Sequence, residues 1–103
     1  MRKAEVLVRG VPAGILEEIS PGGPYRFRYA PGYHGDPVSL TMPVRQEPYT
    51  FESFPPFFEG LLPEGMQLEG LLRMRKLDRS DLFGQLLAVG GDMVGAVTVR
   101  ELP

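Results

Sequence analysis

Tyr25-Arg26-Phe27-Arg28-Tyr29 alternates aromatic and charged residues without a break. That strict period of two is a half-buried strand, with the aromatics turned in and the arginines turned out. The preceding residues fit the same frame. Ala4 to Arg9 is short and rich in Val and Leu, and Ala4, Val6 and Val8 share one face. Gly10-Val11-Pro12-Ala13-Gly14 reads as a turn and Gly14 to Ile19 as a second strand, so the chain opens with a hairpin. Ser20-Pro21-Gly22-Gly23 turns it again. After a loop from Pro31 to Pro37, Val38 to Met42 reads as a fourth short strand that ends at Pro43, because proline cannot donate to a ladder.

The rest is helical. Ser53 is a candidate cap for a helix with Pro55 and Pro56 in its first turn. Phe54, Phe57, Phe58 and Leu61 then form one apolar stripe. Pro63 stops that helix or starts the next. A second helix is expected from Glu64 to Lys76. A third is expected from Ser80 to Val89, with Leu82, Phe83, Leu86 and Leu87 facing the core and Gly90-Gly91 ending it. Met93 to Arg100 is apolar on both faces and reads as a central strand. The pattern is a small α+β domain over residues 1–103: a mostly antiparallel sheet of about five strands with about three short helices. The 13 glycines and 11 prolines sit singly between apolar runs, as turns and not as low-complexity sequence.

Several function classes are disfavoured. Lys and Arg number 11 against 13 Asp and Glu, for a net charge of -2, whereas a protein that neutralises nucleic-acid phosphates carries a basic surplus. Arg73, Arg75, Lys76 and Arg79 cluster where cations suit a helix C-terminus. With no cysteine, disulfides and thiolate zinc sites are excluded. No apolar run approaches the ~20 residues that span a membrane, and no signal segment follows Met1, so a cytoplasmic protein is expected. His34 is the single histidine, beside Asp36 in a Gly/Pro loop; no Gly-x-Ser-x-Gly elbow accompanies it. The glycines from Gly90 to Gly95 follow a helix, the reverse of a phosphate loop. Glu17 and Glu18 point to opposite faces of a strand. No catalytic, cofactor-binding or metal-ligating residue is nominated.

The second helix carries more information. Leu68, Leu71 and Leu72 form its core face, while Met66, Gly70, Met74 and Leu77 lie opposite. A second apolar stripe calls for contact with another element or another chain, a homodimer included, and methionine adapts to such surfaces.

Several segments together resemble one family. Pro56-Phe57-Phe58-Glu59-Gly60-Leu61-Leu62-Pro63-Glu64-Gly65 is similar to the signature of the N-terminal subdomain of HipA-type serine/threonine kinases. Gly91-Asp92-Met93-Val94-Gly95-Ala96-Val97 resembles that family's Gly-x-Asp-x-x-Gly-Ala-Val element. Leu40-Thr41-Met42-Pro43-Val44-Arg45 with Pro48-Tyr49 resembles its Leu-x-Leu/Met-Pro-x-Arg and following Tyr. The likeness runs from about Lys3 to Arg100. The kinase core that follows the subdomain in those enzymes is missing after Pro103, so no catalytic residue carries over and no enzyme is expected. The resemblance implies a part like that of the small antitoxin, HipS, which accompanies a shortened kinase, HipT, and a DNA-binding HipB. The family's kinases phosphorylate aminoacyl-tRNA synthetases and arrest growth, so the small protein would hold its kinase inactive. The expected contact residues are Leu62, Pro63, Glu64, Gly65, Met66, Gly70 and Met74. The alternative is an N-terminal structural subdomain excised from an intact kinase. A nucleotide-binding domain and a direct operator binder are weaker readings.

Overall fold

The structure is a computed structural model that describes residues 1–92 and 95–103. Five strands, β1 (Arg2–Val8), β2 (Val11–Glu18), β3 (Tyr25–Tyr29), β4 (Tyr49–Phe51) and β5 (Val97–Leu102), form one antiparallel sheet in the order β4-β3-β2-β1-β5. Helices α1 (Pro56–Glu59), α2 (Gly65–Arg75) and α3 (Leu82–Val89) lie between β4 and β5 in the chain, and a 3-10 turn, Gly90–Asp92, follows α3. The α+β expectation holds.

The β1–β2 hairpin turns at Arg9 and Gly10, whose φ angles are 51° and 81°. Two left-handed residues in a row match the right-handed twist of the flanking strands. Register follows the alternation: Ala4 faces Leu16, Leu16 faces Phe27, and Val6 faces Val99. This puts Ala4, Val6, Leu16, Phe27 and Val99, all buried, on one face of the sheet. Phe54 meets Tyr25 edge-on at 5.3 Å, and Phe58 lies 6.0 Å from Phe27. Phe83 stacks 6.4 Å from Tyr25. The core is thus an aromatic layer between the sheet and the helices.

Three expectations are corrected. Val38 to Met42 is not a strand; it holds one isolated bridge, Ser39 to Met42, and Tyr49–Phe51 takes the place beside β3. The backbone there is claimed by a side chain instead. The Tyr29 hydroxyl accepts from the Val38 N–H at 3.0 Å and donates to the Met42 carbonyl. Secondly, the last strand is an edge strand beginning at Val97, not a central one. Val97 and Val99 face the core, while Thr98 and Arg100 face out; Met93 and Val94 of the expected strand lie outside the described residues. Thirdly, Pro55 and not Ser53 occupies the N-cap position of α1, and no side chain caps it. A residue before proline is held extended, and Pro55 sits at φ -60°, ψ 129°.

Tyr29→Phe tests the hydroxyl link. Removing it strands a buried N–H and a buried carbonyl, at a cost of about 1–3 kcal/mol, read as a lower thermal midpoint with an unchanged far-UV spectrum.

Sheet and α3 are tied by one arginine. Arg2 grips Glu18 through Nε and Nη2 at 2.7 and 2.9 Å, and Asp81 through Nη2 and Nη1 at 2.8 and 3.2 Å. Its guanidinium also lies 5.1 Å from the Phe83 ring centroid. Asp81 in turn caps α3 by accepting from the Gly84 N–H at 3.0 Å. The Arg2 hydrogen bond holds the Asp81 carboxyl below the ordinary aspartate value. Its stabilisation is therefore full above the unfolded-state value and is lost as pH falls through the folded-state one. Asp81→Ala should cost roughly 1–2 kcal/mol at neutral pH, mainly as a lost cap, and urea melts should show that gap closing in acid.

Candidate partner-binding face

The segment that leads from α1 into α2 is built by short-range hydrogen bonds. The Leu61 N–H donates to Phe58 O and the Leu62 N–H to Glu59 O, both at 3.1 Å, so the chain keeps turning after α1 ends. Pro63 breaks the series, since it has no N–H to give. Glu64 is extended at φ -130° and forms no side-chain cap. Gly65 follows at φ 59°, in the left-handed region that glycine tolerates best. The sharp reversal sends α2 off in a new direction.

Helix α2 has no fully buried residue. Leu68, Leu71 and Leu72 are half-buried and rest on the domain, as the leucine face requires. Met66 is 91% exposed and Met74 83%. The expectation that some element covers the methionine side is answered for these two residues: no other part of the described chain does. Leu77 departs from that stripe. Lys76 turns left-handed at φ 54°, the Leu77 N–H donates back to Leu72 O at 3.1 Å, and Leu77 is half-buried past the helix end. Gly70 is half-buried, and a Cβ there would meet nothing within 4 Å. Met66 and Met74 are eight residues apart, a rise of about 12 Å along the helix. The uncovered face is therefore long enough to contact a second protein.

Of the expected contact residues, Leu62, Pro63, Glu64, Gly65 and Met66 fall together at the turn, and Gly70 and Met74 continue along α2. Leu62 and Pro63 also line a cleft of about 410 Å³ with Gln67, Val89 and Asp92. Those three are not among the contact residues expected from sequence. Gln67 follows Pro63 by one helical turn and was within reach of pattern reading; Val89 and Asp92 arrive from the end of α3 through tertiary packing.

The adjacent glutamates Glu17 and Glu18 serve the sheet. Glu17, on the sheet face opposite the helices, takes Arg26 Nε at 2.9 Å and lies 3.7 Å from Lys3 Nζ. Burial pushes its carboxyl up, but Arg26 and Lys3 outweigh that and hold it below the ordinary glutamate value. Glu18 turns to the other side, towards Arg2, so the two do not converge. His34 is exposed. Among the described residues, no three His, Asp or Glu side chains gather to hold a metal ion, and no helix is long and apolar enough to cross a membrane.

A sheet with this order, its helices inserted before an edge strand, and a helix with an uncovered face behind a Leu-Leu-Pro-Glu-Gly turn define a small α+β domain. Residues 4–100 match the family model described as the HipA N-terminal domain, and the chain belongs to that family. A solved structure described as the N-terminal domain of HipA toxin superposes with a TM-score of 0.77 at 31% identity, covering 100% of this chain and 94% of the other. An uncharacterised protein of Haemophilus influenzae is 36% identical over 101 residues, which is 98% of this chain and 93% of that protein. A protein of Sinorhizobium fredii named as a candidate kinase, Y4mE, is 33% identical over 79 residues, 73% of this chain but 19% of its own length. The chain thus spans nearly the whole of the Haemophilus protein but about a fifth of Y4mE.

Proposed function

We propose that this chain is a non-catalytic antitoxin that docks on a HipA-like serine/threonine kinase of the HipT type in the cytoplasm and holds it inactive. The observation that carries this reading is the exposure of Met66 and Met74 on a helix with no buried residue. Large apolar side chains left uncovered on one face of a small domain mark an interaction site. The turn from Leu62 to Gly65 places Met66 at the start of that face, where it can enter a cleft of the partner. Gly70, half-buried with open space around it, admits close approach of a partner chain.

Family membership supplies the kind of partner. A solved relative is the N-terminal domain of HipA toxin, and a sequence 33% identical to this one lies within Y4mE, a protein several times longer that is named as a candidate kinase. A separate copy of the domain can compete for, or complete, that neighbouring surface. A HipB-type DNA-binding protein joins through the complex and not through this acidic chain. The second reading, an N-terminal structural subdomain of an intact HipA-type kinase, is favoured by the match to Y4mE; there the same face packs within one polypeptide.

Co-expression with a HipT-type kinase separates the two. Rescue of growth together with co-purification supports the antitoxin. Growth arrest that persists although both proteins accumulate rejects it and favours the subdomain.

A further inference from the structure

A second cleft, of about 500 Å³, lies outside α1 and α2, between the loop after β3 and the segment before β4. Arg28, Tyr29, Tyr33, His34, Arg45 and Gln46 line it, and no carboxylate side chain is among its lining residues. That composition stands out in a chain of net charge -2.

The two arginines are held differently. Arg45 is fixed: its guanidinium lies 3.7 Å from the Tyr49 ring centroid, with Nε donating to Glu47 O at 3.2 Å and Nη2 to Pro48 O at 3.3 Å. Those contacts orient the fork without neutralising it, because neither carbonyls nor an aromatic face carries a full negative charge. Arg28 makes no ion pair among the described residues. The carboxylate whose charge it feels, Glu17, is already engaged by Arg26 and Lys3. The flat surface beside them is equally well held. The Tyr33 ring stacks on Tyr29 at 5.8 Å and 10°, and its hydroxyl donates to Asp36 O at 2.7 Å. Locking the loop before β4 accounts for the contacts of Arg45. It does not explain two uncompensated guanidinium groups and an imidazole around one cavity.

We infer that this cleft binds a phosphate monoester carried on a flat ring. Guanidinium groups match phosphate oxygens in pairs: Arg28 has its whole fork to offer, and Arg45 the Nη1 side that its carbonyl contacts do not engage. The volume suits a small ligand, and the half-exposed Tyr33 ring offers a stacking face. The ligand is a single phosphate and not a nucleic-acid backbone, since the charge is confined to one cleft. A mononucleotide and a phosphorylated tyrosine side chain share this chemistry. The inference does not rest on the kinase-docking reading.

Titration of the ¹⁵N-labelled chain at low salt with adenosine 5′-monophosphate, O-phospho-L-tyrosine and inorganic phosphate tests it, with adenosine and tyrosine as uncharged controls. The expected result is saturable shifts of the amides at Arg28 to His34 and Val44 to Gln46 with at least one ester, tighter than with inorganic phosphate. Which ester binds more tightly identifies the source. Arg28→Ala, an exposed change that should leave the melting temperature alone, should weaken binding at least about tenfold. No saturable shift by about 10 mM ester, shifts elsewhere, or the same affinity in Arg28→Ala would overturn the inference.

Discussion

A chain carrying Met66→Asp should fold as the wild type does and fail to neutralise its kinase. Met66 is 91% exposed, so the free domain loses almost no burial by the change. In the complex the situation reverses. Burying a methionine side chain is worth about 1.5–3 kcal/mol, and an unpaired carboxylate forced into the same contact adds a desolvation cost of several kcal/mol. Together these correspond to a loss of affinity of more than about a hundredfold. Growth rescue should disappear while the thermal midpoint of the isolated chain stays put. Met74→Asp, 83% exposed and two turns further on, should show a loss of the same sign. If both variants rescue like the wild type, the α2 face is not the contact.

Phe58→Ala should have the opposite profile, with the fold itself failing. Phe58 is fully buried in a helix of four residues, against Phe27 and Phe57. Truncating a buried phenylalanine costs about 3–5 kcal/mol. A domain of this size holds about 5–15 kcal/mol in all, and each kcal/mol moves the midpoint by about 4–8 °C. A fall of roughly 12–40 °C is expected in calorimetry. Because α1 is one turn long and leads straight into Leu62 and Pro63, neutralisation should weaken as well, even below the new midpoint. A Phe58→Ala protein that melts like the wild type would mean that α1 does not seal the core.

β3 and the existence of the β1–β2 hairpin were legible because alternation is a local signal, although the turn expected at Gly10 to Gly14 lies at Arg9 and Gly10, and Val11 to Gly14 belong to β2. Tyr25, Phe27 and Tyr29 point one way and Arg26 and Arg28 the other, whatever lies beyond the strand. The misread strand at Val38 to Met42 shows the limit. Its apolar residues do go inside, with Val38 and Met42 buried, but the Tyr29 hydroxyl takes the backbone groups that a ladder needs. That competitor sits on another element, so the segment alone does not reveal it. The true fourth strand, Tyr49–Phe51, is three residues long and too short for a period to register. Edge position in β5 depends on the order of the strands, which no single strand encodes. At the candidate face, the methionine stripe followed from helical spacing alone. The Gln67–Val89 cleft needed α3 to be in place, and so did the half-burial that sets the leucines apart from the methionines. Arg45 and Tyr49 lie in the segment that resembles the family's Leu-x-Leu/Met-Pro-x-Arg and following Tyr, but their stacking is a fact of three dimensions.

Hydrogen exchange of the chain alone and in complex with its HipA-type kinase is the most direct test of docking through α2. The antitoxin reading predicts slowed exchange from Leu62 to Met74 on binding, with β1 and β2 unchanged. Protection confined to another face, or no protection at saturating kinase, would contradict it.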